Sequence, residues 1–224
     1  MPQPVLVLDL DGTLVDTAAD LVATLNIILS GEGIAPLAHD DAVKKIGHGA
    51  KAMLEAGLAA QGVHPSPERI DALYAAFITY YQDHLADHSR PFPGAVAALD
   101  RFADHGWGLA ICTNKLERLS RQLLGALGLS DRFAVIAGQD TYGVKKPDPG
   151  HLLRTIEAAG GSRGAAIMVG DTAIDIDTAL AAKVPSVVVS FGYSPVPVGE
   201  LGADRVIGHY DELFAAVRSL GVVA

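Results

Sequence analysis

Two aspartates, Asp9 and Asp11, close an otherwise apolar run, Val5-Leu6-Val7-Leu8-Asp9-Leu10-Asp11-Gly12-Thr13-Leu14. Alternate side chains of a strand share a face, so both acids can lean into one space while Leu10 leans away. Gly12 lets the backbone turn directly afterwards, and Thr13 can satisfy local donors. The bland alternative is a buried strand ending in an Asx-turn, but two acids after four apolar residues ask for more than a turn. A carboxylate in such a place can attack as a nucleophile, and its neighbour can give and take a proton.

Three later stretches carry polar groups where a parallel sheet would gather them. They are Ile111-Cys112-Thr113-Asn114, Lys146-Pro147-Asp148-Pro149 and Gly170-Asp171-Thr172-Ala173-Ile174-Asp175. Ligands of open parallel sheets bind beyond the carboxyl ends of the strands, and Asp9, Thr113 and Asp171 each follow a predicted strand. A lysine can enter the same crevice from the loop before Pro149, and the residues alone leave Lys145 and Lys146 open. Asp9, Asp11, Asp171 and Asp175 brought together would repel one another. A hard divalent cation relieves that repulsion, and Mg²⁺ is the usual ion where carboxylates, waters and a phosphate share coordination.

The elements that must position these groups fall into two rhythms. Helical spacing dominates after Leu14: Leu21, Val22, Leu25, Ile28 and Leu29 share one face behind a cap at Asp16 or Thr17, with Asp20 three after Thr17 as in a capping box. Further helices are expected from about 40 to 46 and 50 to 60, and from Pro67 behind a Ser66 cap. From Pro91 onward helices alternate with strands near 107–112, 133–137, 165–169, 186–189 and 205–207, the pattern of a parallel sheet covered on both faces. The expected fold is therefore α/β: a Rossmann-like parallel-sheet core formed by 1–14 and 92–224, with an inserted all-helical segment, 15–91.

Composition narrows the function classes. A net charge of −9 over 224 residues argues against nucleic acid and anionic membrane surfaces as partners. No apolar stretch approaches the ~18 residues of a spanning helix, and the N-terminus lacks the pattern of a signal peptide. A lone cysteine, Cys112, in an apolar strand reads as core. A cytoplasmic protein acting on a small molecule is expected, with no indication of oligomeric state.

The Asp-Leu-Asp-Gly-Thr-Leu opening, followed in order by the Thr113, Lys146 and Gly170-Asp171 stretches, resembles the four signatures of the haloacid dehalogenase superfamily of phosphohydrolases. The resemblance selects Lys146, just before Pro147, over Lys145. It implies that the Asp9 side chain, the Asp11 backbone carbonyl and the Asp171 carboxylate contact Mg²⁺, with Asp175 supporting that shell. Asp9 would then attack phosphorus and form an aspartyl-phosphate. Asp11 would serve as acid and then base, Lys146 would offset charge, and Thr113 would hold phosphate oxygens. Gly12, Asn114 and His48 complete the expected substrate contacts, His48 because Gly47-His48-Gly49 can bring backbone close to a ligand.

An insert between the first and second signatures looks like a helical cap that closes over the site. Within the superfamily the wording Pro91-Phe92-Pro93-Gly94, Thr113-Asn114-Lys115 and Lys145-Lys146-Pro147-Asp148-Pro149 is similar to that of phosphoglycolate phosphatases, which implies 2-phosphoglycolate as substrate. Lys183 departs from that likeness, standing where Gly is usual. The insert also lacks an obvious Arg for a substrate carboxylate between Val15 and Glu68, leaving Lys44, Lys45 or Lys51 for the task. The alternatives are a sugar-phosphate phosphatase, a β-phosphoglucomutase-like phosphotransferase and, more distantly, a non-catalytic phosphate-binding regulator.

Overall fold

The computed structural model describes residues 3–47 and 49–222. Strand β1 (Val5–Leu8) lies mid-sheet with all four residues buried, which is why its sequence is apolar without alternation. Its two faces serve different cores: Leu6 and Leu8 join the larger cluster, while Val5 and Val7 pack with Leu152, Ile156 and Ala179. The short β2 (Val15–Asp16) leads into four helices, α1 (Ala18–Gly31), α2 (His39–Val43), α3 (Ala50–Ala60) and α4 (Pro67–His84). The chain returns through β3 (Arg90–Pro91), antiparallel to β2, so both connections between sheet and insert lie side by side.

The alternating half follows as α5 (Ala95–Asp104), β4 (Gly108–Cys112), α6 (Glu117–Ala126), β5 (Val135–Ala137), α7 (Pro149–Ala158), β6 (Ala166–Gly170), α8 (Ala173–Ala182), β7 (Ser186–Val189), β8 (Arg205–Ile207) and α9 (Leu213–Ser219). The six-stranded sheet has the order β5-β4-β1-β6-β7-β8, every neighbouring pair parallel. β1 therefore sits between β4 and β6, and the loops carrying Asp9, Thr113 and Asp171 leave one sheet edge together. Among the described residues no helix is long and apolar enough to cross a membrane.

Three local expectations give way. β1 ends at Leu8, so turn geometry rather than strand alternation aims Asp9 and Asp11. The Thr17/Asp20 capping box does not form: Asp20 instead accepts the Ser89 amide at 2.8 Å, the Ser89 hydroxyl at 2.6 Å and the His88 amide at 3.0 Å. These bonds outweigh the burial that would raise its pKa and hold the carboxyl below its usual value. Thr13 serves no local donor; its hydroxyl donates to Asp171 Oδ1, 2.8 Å away.

Candidate active site

β1 delivers Asp9 to the sheet edge, and Asp9, Asp171 and Asp175 each offer a carboxylate oxygen within 4.8 Å of the others, all buried. Asp171 follows β6, and Asp175 lies one turn along α8. The Asp175 oxygens are already committed. Oδ1 accepts from Lys146 Nζ at 2.5 Å, and Oδ2 accepts the Asp171 and Thr172 amides at 3.2 and 3.1 Å and the Thr172 hydroxyl at 2.9 Å. Asp171 Oδ1 and Oδ2 accept from Thr13 and from the Tyr193 amide, the latter at 2.7 Å.

Lys146 stands fully buried between the acids, its ammonium 2.9 Å from Asp9 Oδ1, whereas Lys145 is exposed. The approach to Asp9 is a charge contact without hydrogen-bond alignment, which leaves Asp9 Oδ1 with no hydrogen-bond partner. Burial raises the Asp9 pKa to about 6 against the opposing pull of Lys146, with Asp175 adding to the rise. Burial, Asp175 and Asp9 push Asp171 well above its ordinary value. For Lys146 burial works against the charge, but Asp175 and Asp9 outweigh it and raise its pKa. Three buried carboxylates thus face one buried ammonium. An all-oxygen donor set with surplus negative charge, in which Asp9 Oδ1 has an ion-pair contact but no aligned hydrogen bond, fits a hard divalent cation.

Asp11 faces the other way. Its Oδ1 accepts the Thr17 hydroxyl at 2.8 Å and the Lys115 ammonium at 2.9 Å. Asp9, Asp11, Thr113 and Asn114 line one cavity of about 40 Å³, whose far wall is Leu21, Ile46, Met53 and Ile78 of the helical insert. A water needs about 10–15 Å³ by this measure, so the space admits a group of only a few heavy atoms. Asn114 also fastens the loop behind it, donating to the Lys146 carbonyl at 3.1 Å. Asn114 and Lys146 further border a wider groove of about 400 Å³, edged by Lys44, Lys145 and Thr172.

Other expected contacts fall elsewhere. Gly12 donates its amide to the Val15 carbonyl at 2.9 Å and packs on Asp171 and Tyr193, outside the cavity lining. Gly47 and Gly49 do line the cavity, and a Cβ at Gly49 would come within 3.2 Å of the Asn114 carbonyl, so backbone does approach there. His48 lies outside the described residues. Lys51 pairs with Asp71 and Lys44 with Asp41 on exposed faces, and none of Lys44, Lys45 and Lys51 lines the cavity.

Two residues of the site escaped sequence reading. Lys115, buried, bridges Asp11 and the Tyr81 hydroxyl of α4 at 2.7 Å. Its signal was its place in the Thr113-Asn114-Lys115 wording, which gave it no role. Tyr193 had none, because its partners are more than twenty residues distant in sequence.

Residues 6–189 match the family described as haloacid dehalogenase-like hydrolase. A phosphoglycolate phosphatase of Mesorhizobium japonicum is 46% identical over 95% of this chain and 94% of that protein. Another from Caulobacter vibrioides is 48% identical over 89% of this chain and 84% of its own. Among solved structures, a predicted phosphoglycolate phosphatase of Haemophilus somnus superposes with a TM-score of 0.89 at 23% identity, over 96% of this chain and 98% of that one. That likeness speaks to fold alone.

Proposed function

The chain belongs to the haloacid dehalogenase-like hydrolase family, and on that premise we propose that it hydrolyses a small phosphate monoester, 2-phosphoglycolate, through an aspartyl-phosphate on Asp9. The observation that carries this reading is Asp9 Oδ1 itself: buried, set against the Lys146 ammonium, and without a hydrogen bond to restrain it. A carboxylate so placed is free to attack phosphorus in line.

In the first half-reaction an Asp9 oxygen bonds to phosphorus, the ester P–O bond breaks, and Asp11 gives a proton to the departing alkoxide. In the second, Asp11 takes a proton from water, the water oxygen attacks phosphorus, and the Asp9–phosphorus bond breaks to release phosphate. Lys146 offsets charge on the transferring group while Asp175 fixes its ammonium, and Thr113 and Asn114 hold phosphate oxygens. A divalent cation, Mg²⁺ in this reading, would be held by Asp9, Asp171 and the Asp11 carbonyl and would supply further charge neutralisation. Residues 15–91 act as the cap of a core formed by 1–14 and 92–224.

The 40 Å³ cavity favours a leaving group the size of glycolate over a hexose. Phosphate release from 2-phosphoglycolate, hexose phosphates and an aryl phosphate, each with Mg²⁺ and with chelator, tests the reading. Release from phosphoglycolate that depends on Mg²⁺ is expected. A hexose phosphate converted to its isomer without phosphate release would favour a mutase instead, and release undiminished by chelation would remove the metal.

A further inference from the structure

We propose that Lys115, not a lysine of the helical insert, selects the substrate by receiving a negative charge on the carbon attached to the ester carbon. The inference rests on the phosphomonoesterase reading above and names a specificity residue within it.

Sidedness comes first. Lys146 faces Asp9 and Asp175, on the nucleophile's side of the site. Lys115 faces Asp11, the group that protonates the leaving oxygen, at 2.9 and 3.1 Å. A cation touching the general acid must lie beside the leaving group rather than the attacking carboxylate.

Charge comes second. Among the described residues lining the cavity Lys115 is the one cation, and the wall opposite is aliphatic, with Leu21, Ile46 and Met53. Among the described lining residues an anionic end on the leaving group has no other cation to meet. An ammonium carries three N–H donors, and Lys115 directs them at two groups, both Asp11 oxygens and the Tyr81 hydroxyl, so a substrate carboxylate is received by taking over the place of one Asp11 oxygen while the other keeps its bond. An uncharged leaving group would strip water from that ammonium and return nothing.

Preorganisation comes third. The Lys115 amide donates to Thr113 Oγ1 at 3.2 Å, and its carbonyl accepts the Gln139 amide at 2.9 Å. Tyr81 then fixes the ammonium from the insert side, both by its hydroxyl and by its ring, whose centroid is 4.5 Å from Nζ. Core and insert must both be in place for the charge to be presented.

The test compares kcat/KM for 2-phosphoglycolate with that for 2-hydroxyethyl phosphate, in which CH₂OH replaces the carboxylate. The wild type is expected to prefer the carboxylate ester by roughly a hundredfold, the scale of a charge-assisted hydrogen bond in a desolvated site. Lys115→Met slows both esters, because Asp11 loses a partner, but is expected to compress the preference to within a few-fold, chiefly by raising KM for 2-phosphoglycolate. Tyr81→Phe is expected to reduce the preference partway, and it carries the test if Lys115→Met does not fold. An unchanged ratio in the variant that folds, or a wild type indifferent to the carboxylate, overturns the inference and leaves the phosphatase reading standing. A wild type that releases phosphate from no ester overturns both.

Discussion

Tyr193 donates its backbone amide to Asp171 Oδ2 at 2.7 Å, and its phenol reaches the connection between sheet and insert. The phenol oxygen accepts the Thr17 and Ala18 amides at 2.7 and 2.9 Å and donates to Asp16 at 2.6 Å. One residue thus supports a cluster carboxylate and, beside Asp16 Oδ1, which accepts the Ala18 amide at 3.3 Å, caps the start of α1 where the Thr17 side chain does not. Tyr193→Phe removes only the second function. It is expected to destabilise the protein by about 1–3 kcal/mol in urea denaturation, leaving donors and an acceptor unmatched, while divalent-ion binding persists. An unmoved urea midpoint would contradict the assignment.

Lys146→Met removes the one ammonium among Asp9, Asp171 and Asp175. Breaking a buried ion pair in this way typically costs about 3–5 kcal/mol, and phosphate release should fall below detection. Added Mg²⁺ is expected to restore part of the stability and none of the turnover. Turnover within tenfold of wild type would show that Lys146 does not act on the transferring group.

Metal and pH should be coupled with a definite sign. Asp9 rises from 3.8 to about 6 on folding, and Asp171 is raised in the same direction by burial and its acidic neighbours. A raised acid holds its proton longer in the folded protein, so its contribution to stability is whole below about 3.8 and is lost as pH climbs through about 6. Asp20, shifted the other way, changes only below 3.8 and leaves this window untouched. In chelator the melting temperature should therefore carry a falling contribution from Asp9 between about pH 4 and 6. The gain from Mg²⁺ should be larger at about pH 7.5 than at about pH 5, because the ion needs the ionised carboxylates. Differential scanning fluorimetry across that range checks it, and an Mg²⁺ shift independent of pH would contradict the carboxylate site.

Gly12→Ala should damage the site without touching substrate. Gly12 has φ +84°, and a Cβ there would lie 2.5 Å from Asp171 Oδ2 and 2.6 Å from the Tyr193 ring. The left-handed backbone and the clash together are expected to cost roughly 2–4 kcal/mol and to weaken Mg²⁺ affinity as Asp171 is displaced. Wild-type melting and Mg²⁺ affinity would show that the turn relaxes freely.

Local signals wrote most of the fold plainly. Ser66-Pro67 marks the start of α4, and the Ser66 hydroxyl does accept the Arg69 amide. Gly49 stands at the N-cap of α3, and strands flanked by turns give the sheet. Lys183 takes the left-handed position after α8, at φ 54°, the place where glycine would be unstrained. What was illegible depends on distant partners. β2 and β3 are two residues each and exist only by pairing across the insert. Asp20 looked like a helix cap until Ser89 and His88 claimed it, and Lys115 carried no role in the sequence because Asp11 and Tyr81, which enclose it, lie 104 and 34 residues away.

The most direct test of the central claim is phosphate release from 2-phosphoglycolate by the wild type and by Asp9→Asn under saturating Mg²⁺. Asp9→Asn keeps the shape of the side chain and removes the attacking carboxylate. The account predicts Mg²⁺-dependent release by the wild type and none by the variant, whose circular dichroism and cooperative melting stay native. A folded Asp9→Asn that still turns over at a rate near the wild type would contradict it.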